Sequence, residues 1–154
     1  MRALIFFLLA AAAFGASAKD CSPVPAALKN AMLQHISSIR ADEYCAARTF
    51  KADSELSVLI YTAEGACDKD RSQKPGTCST NWVRYMVGEY KGKPIEPVVV
   101  GGKGGLEDRR VTLSNGVVKI SGLTVGNSDP LCCPTVPAVE TFKVSGGRFV
   151  VVPP

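Results

Sequence analysis

The sequence predicts an α+β domain: an N-terminal helix packed on a mostly antiparallel sheet of six or seven strands, with disulfides holding it. Three observations carry this. An apolar stripe at helical spacing runs through residues 23–40. From residue 56 onward the periodicity shortens to that of strands. Two Gly-containing two-residue turns then set hairpin registers that put apolar side chains on a common face.

The chain opens on a leader. Arg2 gives a basic start, residues 3–14 form an apolar run, and Ala16-Ser17-Ala18 places small residues where a signal peptidase reads them. The run is shorter than the roughly 20 apolar residues needed to cross a bilayer, so no transmembrane anchor is expected. A lipoprotein signal ending at Cys21 is the rival reading. Lys19 and Asp20 stand where small residues should precede such a cysteine. The expectation is therefore a signal peptide over 1–18, cleaved after Ala18, and a single domain over 19–154. Such a leader implies a periplasmic or extracellular destination.

In the helix, Leu28, Met32, Ile36 and Ile39 recur at intervals of four, four and three. Ser22 followed by Pro23 reads as its cap and first turn. After a polar connection, residues 56–63 read as a strand rich in β-branched and aromatic residues. Residues 82–90 read as another, broken by Lys91-Gly92-Lys93-Pro94. Residues 95–100 follow, with Pro97 arguing for an edge strand or a bulge. Gly101 to Gly105 read as a flexible turn. Asn115-Gly116 tolerates the positive φ of a tight hairpin, and pairing outward sets Leu113 against Val118 and Val111 against Ile120. Gly146-Gly147 likewise sets Val144 against Phe149 and Phe142 against Val151. A slip of one residue would destroy both burial patterns.

Cys21, Cys45, Cys67, Cys78, Cys132 and Cys133 form an even set in a small exported chain, which reads as disulfides. No Cys-x-x-Cys pair exists and His35 is the sole histidine, so no metal site is expected. Six cysteines allow fifteen connectivities. Cys67–Cys78 is the preferred pair because it brackets a polar loop containing Pro75-Gly76. Closing so short a loop stabilises by roughly 3 kcal/mol in the chain-entropy picture.

The charge balance is mild. The whole sequence carries a net +4, and cleavage removes Arg2 from it. With no basic run and no basic-aromatic cluster, nucleic acid is not an expected partner.

No cofactor or catalytic set is expected either. Gly102-Lys103-Gly104 begins like a dinucleotide loop, but Glu107 stands at the third glycine, and no Lys-Ser or Lys-Thr follows for a phosphate loop. Ser128 has Gly126 before it but Pro130 where a nucleophile elbow needs glycine. Asp68, Asp70 and Ser72 imitate the first ligands of a calcium loop, yet Gln73 replaces the turn glycine and Ser79 the bidentate glutamate. His35 sits near the apolar helix stripe and reads as structural, without a local partner for general-base work. Cys132-Cys133 has two readings: a strained vicinal disulfide open to reduction, or two structural cysteines that each bridge elsewhere. The second is favoured.

The most individual stretch is Asn127-Ser128-Asp129-Pro130-Leu131-Cys132-Cys133-Pro134, whose prolines fix its backbone between the hairpins. Asp129, Pro130, Cys132, Cys133 and Pro134 are the candidate binding residues. Asp129, Cys132, Cys133 and Pro134 form a D-x-x-Cys-Cys-Pro segment ahead of a C-terminal hairpin. In this, residues 82–154 resemble small exported proteins similar to actinobacterial LppP/LprE-type lipoproteins. The chain departs from them in lacking a lipidation cysteine and in carrying Cys67 and Cys78. The resemblance implies an envelope protein, and it assigns no catalytic residue.

The functional expectation is a non-enzymatic binding module, such as an inhibitor or immunity protein with an envelope protein as partner. Ser145-Gly146-Gly147-Arg148-Phe149 faintly resembles the Ser-Gly-x-x-Tyr loop of some bacterial lysozyme inhibitors, but the Gly-Gly hairpin accounts for it and Phe149 replaces the tyrosine. The alternatives are a thiol-disulfide or hydrolytic enzyme using Cys132, Cys133 or His35, and a structural envelope component.

Overall fold

The computed structural model describes residues 21–66 and 81–153. Residues 1–20, where the signal peptide is expected, and residues 67–80, which hold Cys67, Cys78 and the loop between them, lie outside the described residues.

Helix α1 (Ala26–Ile39) buries Leu28, Met32 and Ile36, the expected stripe. Its start differs from the expected one. Ser22 makes no cap: Pro25 is the last non-helical residue, at φ −54° and ψ 142°. A residue before proline is driven out of the helical region, so Val24 cannot be helical and the helix waits for Ala26. At the far end Arg40 turns left-handed, and the Ala41 N–H bonds the Ile36 carbonyl, a Schellman closure.

Nine strands follow among the described residues, in two antiparallel sheets where a single sheet of six or seven strands was expected. The first contains β1 (Asp42–Glu43), β2 (Thr49–Ala52), β3 (Leu56–Glu64), β4 (Trp82–Tyr90) and β5 (Lys93–Gly102). β1 and β2 lie end to end along one side of β3, joined by a 3-10 turn over Cys45–Ala47. β5 is the far edge. Its pairing with β4 shifts between Met86 and Gly88, so Pro97 lies at an irregularity on an edge strand, where a missing N–H costs least. Gly101 and Gly102, expected in a turn, are the last residues of β5.

The second sheet runs β6 (Glu107–Ser114), β7 (Val117–Thr124), β8 (Val136–Ser145) and β9 (Arg148–Val151) in sequence order. Both predicted hairpin registers hold: Leu113 faces Val118 and Val111 faces Ile120. Val144 faces Phe149, and Phe142 faces Val151. Val151 is the exception to the burial pattern, being mostly exposed at its strand end.

The layers are helix, sheet, sheet. Val58 and Ile60 of β3 meet Val118, Ile120 and Phe142 in the core between the sheets. Leu59 and Tyr61 of the same strand meet Leu28 and Met32 beneath the helix. β3 is therefore buried on both faces, which is why residues 58–63 carry apolar side chains at nearly every position. Asp53 ties the sheets at one end. Its carboxylate accepts from Glu55 N and Leu56 N in its own turn and from Gly116 N in the β6–β7 hairpin. These bonds, that to Gly116 foremost, hold its pKa below the usual value.

A disulfide joins Cys21 to Cys45, across a sequence separation of 24. It fastens the segment before the helix to the 3-10 turn beside β3. Arg48 works at the same place: it bonds both carboxylate oxygens of Glu43 and the carbonyl of Ser22.

The partner of His35 is not local but comes from β3. Its Nδ1 lies 2.6 Å from the hydroxyl of buried Tyr61, and Tyr85 meets the ring edge-on at 4.5 Å. Burial lowers the His35 pKa, against the pull of Glu96 in the other direction. The ring is thus assigned as neutral near pH 7, with Nδ1 accepting the Tyr61 proton. Between the lowered native pKa and the unfolded value near 6.5, the unfolded chain binds more protons. Stability is then full above that unfolded value and declines as pH falls through the native one. The urea midpoint of the wild type should drop from about pH 7 to about pH 5, and His35→Gln should remove that component. The depressed carboxyls of Asp53 and Asp129 act in a separate window, below their ordinary value of 3.8.

Candidate functional site

At one end of the two-sheet stack the chain leaves an open cleft of about 640 Å³ between the β1–β2 edge and the start of β6. Its floor is Arg84. Side chains alternate along β4, and Arg84 takes the same side as buried Met86, so the strand carries a guanidinium where its pattern calls for an apolar residue. Nη1 donates to the Ala47 carbonyl at 2.6 Å and to Thr62 Oγ1 at 2.8 Å, and Nη2 donates to Asp108 Oδ2 at 2.7 Å. The pair is nearly dry, with side chains 5% and 12% exposed. Arg84 Nε is buried without a partner.

Above this floor stand Tyr44, 47% exposed, and half-buried Trp82. Lys51, Arg109, Arg110, Glu64 and Glu107 surround them. Trp82 opens β4 and Glu107 opens β6, so rigid strand ends position these groups.

A smaller hollow of about 260 Å³ adjoins the cleft and shares Trp82 and Glu107 with it. Here the predicted segment enters: Leu131, Cys132 and Pro134 line the hollow together with Lys103. Pro130 and Cys133 are not among its lining residues; their backbones close a turn, Cys133 N bonding the Pro130 carbonyl. Asp129 is the clasp of the loop. Its carboxylate accepts from Gly126 N, Thr135 N and Thr135 Oγ1, and the bond from Gly126 is foremost in holding its pKa low. Asp129 is thereby engaged in shaping the loop.

Cys132 and Cys133 are free, exposed thiols in the structure, so the bridges expected for them are not formed. The Asp129 clasp and the Pro130 turn hold the pair out in solvent, and Cys21 and Cys45 are already joined to each other. The Cys133 thiol has a raised pKa, first through its hydrogen bond with Cys132 and further through nearby Asp129 and Glu107. A raised pKa disfavours the thiolate that exchange chemistry requires.

Trp82, Tyr44, Arg84 and Asp108 were missed from sequence. The available signal was Arg84 itself, a cation at a core-side position of a strand. Among the described residues, no three His, Cys, Asp or Glu side chains gather as metal ligands. No helix among them is long and apolar enough to cross a membrane. No family model, curated protein or solved structure matches the chain.

Proposed function

We propose that this chain is an exported, non-enzymatic binding module that docks a protein partner of the envelope or exterior at the Trp82 cleft. The observation that carries the reading is the cleft's composition. Trp82, Tyr44, Arg109 and Arg110 surround a floor fixed by the Arg84–Asp108 pair. Tryptophan, tyrosine and arginine supply most of the binding energy at protein interfaces when a partner dries them. Rigid strand ends lower the ordering cost of that contact. The Cys21–Cys45 bond suits an oxidising compartment. The leader and the D-x-x-Cys-Cys-Pro resemblance support export to the periplasm or beyond. Inhibitor and immunity proteins act by this kind of docking.

The test is a crosslinking pull-down from envelope extract with the mature chain. One stoichiometric partner is expected, with recovery falling roughly tenfold or more for Trp82→Ala and Arg109→Ala. Undiminished recovery by both variants removes the cleft from the interaction. Diffuse recovery favours a structural envelope component.

Exposure of the vicinal thiols favours a second reading, thiol-disulfide exchange by Cys132 and Cys133. The raised Cys133 pKa weighs against it. Unreduced mass spectrometry with alkylation decides: a Cys132–Cys133 bond opened by mild reductant supports exchange, and two alkylated thiols without reductant exclude a resting disulfide.

A further inference from the structure

The net charge is modest, but the second sheet concentrates cations on its solvent face. Val118, Ile120, Phe142 and Phe149 fill the core on one side of this sheet, so the alternate positions form the other side. Arg110 lies opposite Ser121, and Lys119 opposite Thr112 and Thr141. Lys143 lies opposite Val117 and Val150, and Arg148 opposite Ser145. Each cation is therefore one strand over and two residues along from the one before. Arg110 on β6, Lys119 on β7, Lys143 on β8 and Arg148 on β9 form one diagonal across the whole sheet. Diagonal neighbours of this kind stand about 7–8 Å apart.

All four side chains are exposed. Among the described residues none of them has an ion pair or a side-chain hydrogen bond. Glu107, opposite Leu123, is the acidic residue at the Arg110 end of the row. The row is thus a line of uncompensated positive charge on a rigid surface.

We propose that this diagonal is a binding track for a linear polyol phosphate, with one phosphate seated per strand. Charge complementarity calls for a polyanion. The spacing narrows the class: an extended chain advances about 3.3–3.6 Å per three backbone bonds. A charge repeat of six or seven bonds therefore matches the row, and a phosphodiester-linked polyol has such a repeat. Thr112, Ser121 and Thr141 lie between the cations and offer hydroxyls to a hydroxylated backbone. The paired positions on this face carry no aromatic side chain, so it lacks the stacking platform by which proteins hold single-stranded nucleic acid. The track crosses all four strands, from one edge strand to the other, so it presents side chains of a sheet face and not the backbone groups of a single edge that an added peptide strand needs.

The probe is a fluorescent glycerol-phosphate polymer titrated with the folded chain and followed by anisotropy over a salt series. Four phosphate contacts predict a slope of about −3 in log affinity against log salt. Lys119→Ala and Lys143→Ala should each weaken binding roughly fivefold and reduce the slope by about 0.7. The deciding variant is the exchange Thr112→Lys with Lys119→Thr, which preserves net charge and the cross-strand pair but breaks the diagonal. It should weaken binding as much as Lys119→Ala. Arg110 borders the cleft as well as the track, so the two readings are separated at the other residues. Lys29→Ala, on the helix, and Trp82→Ala, in the cleft, should leave polymer affinity unchanged, and Lys119→Ala and Lys143→Ala should leave partner recovery unchanged. Thermal melting of every variant checks folding, and Lys143→Ala stands in if the exchange variant is not folded. Absence of salt-dependent binding, or an exchange variant equal to wild type, overturns the track. Equal or tighter binding of poly-glutamate or an oligodeoxythymidylate overturns its assignment to a polyol phosphate.

Discussion

Asp108→Ala is expected to destabilise the protein by about 3–5 kcal/mol, because it leaves a buried guanidinium without its counter-charge. Arg84 is 4% exposed and its Nε already lacks a partner, so loss of the Asp108 carboxylate leaves Nη2 as a second buried group without an acceptor. The remaining acceptors, the Ala47 carbonyl and Thr62 Oγ1, are neutral. Replacing both partners at once, as Arg84→Met with Asp108→Leu, should cost much less than Asp108→Ala alone. An apolar pair of similar volume avoids both desolvation penalties. Urea unfolding of the three variants checks this. A loss below about 1 kcal/mol for Asp108→Ala would mean that the pair behaves as a solvated surface bridge. If stability is regained in the double variant while partner recovery is not, the floor of the cleft also shapes the interface.

The second large effect is expected at Gly122. A Cβ there would lie 1.9 Å from the Glu107 carbonyl oxygen, 2.8 Å from its carbon and 3.0 Å from Asp108 Cα. All three are backbone atoms, so no rotamer change relieves the clash. The pairing of β6 with β7 shifts between Asp108 and Arg110, and Gly122 is the residue over which the irregular strand folds closely. Gly122→Ala should therefore cost at least about 3 kcal/mol, at the upper end for overpacking. Because the displaced segment carries Asp108, it should loosen the Arg84 pair as well. Gly105→Ala is the control: its nearest neighbour would be 3.6 Å away, an ordinary contact, and little change in the melting midpoint is expected.

Local order was the legible part of the fold. The Asn115-Gly116 and Gly146-Gly147 hairpins announce their turns, and turn geometry dictates which side chains face each other, so both registers follow from residue type alone. The stripe Leu28, Met32, Ile36 and the bounds of β4 were legible for the same reason. Partition into two sheets was not. Alternation says that one face of a strand is buried, but not by what. β3 held the clue, with a run of apolar residues too continuous for a strand covered on one side. β1 and β2 are too short to show a period, and depend on β3 for their pairing. The Cys21–Cys45 pairing depends on where the 3-10 turn falls, and six cysteines alone do not choose it. The candidate site draws Trp82, Tyr44 and Asp108 from three strand ends or connections far apart in sequence, so only the assembled sheets reveal it. The cationic diagonal needed one further fact, the β7–β8 register, which no tight turn encodes.

β3 also determines how the molecule comes apart. Its odd and even residues serve two different cores, so releasing it exposes the helix layer and the intersheet layer together. Neither layer has an independent route to unfolding that keeps the other sealed, and the domain should melt as one cooperative unit. A partner seated at the Trp82 end would therefore stabilise the distant helix through mass action alone, with no change in the helix's own contacts.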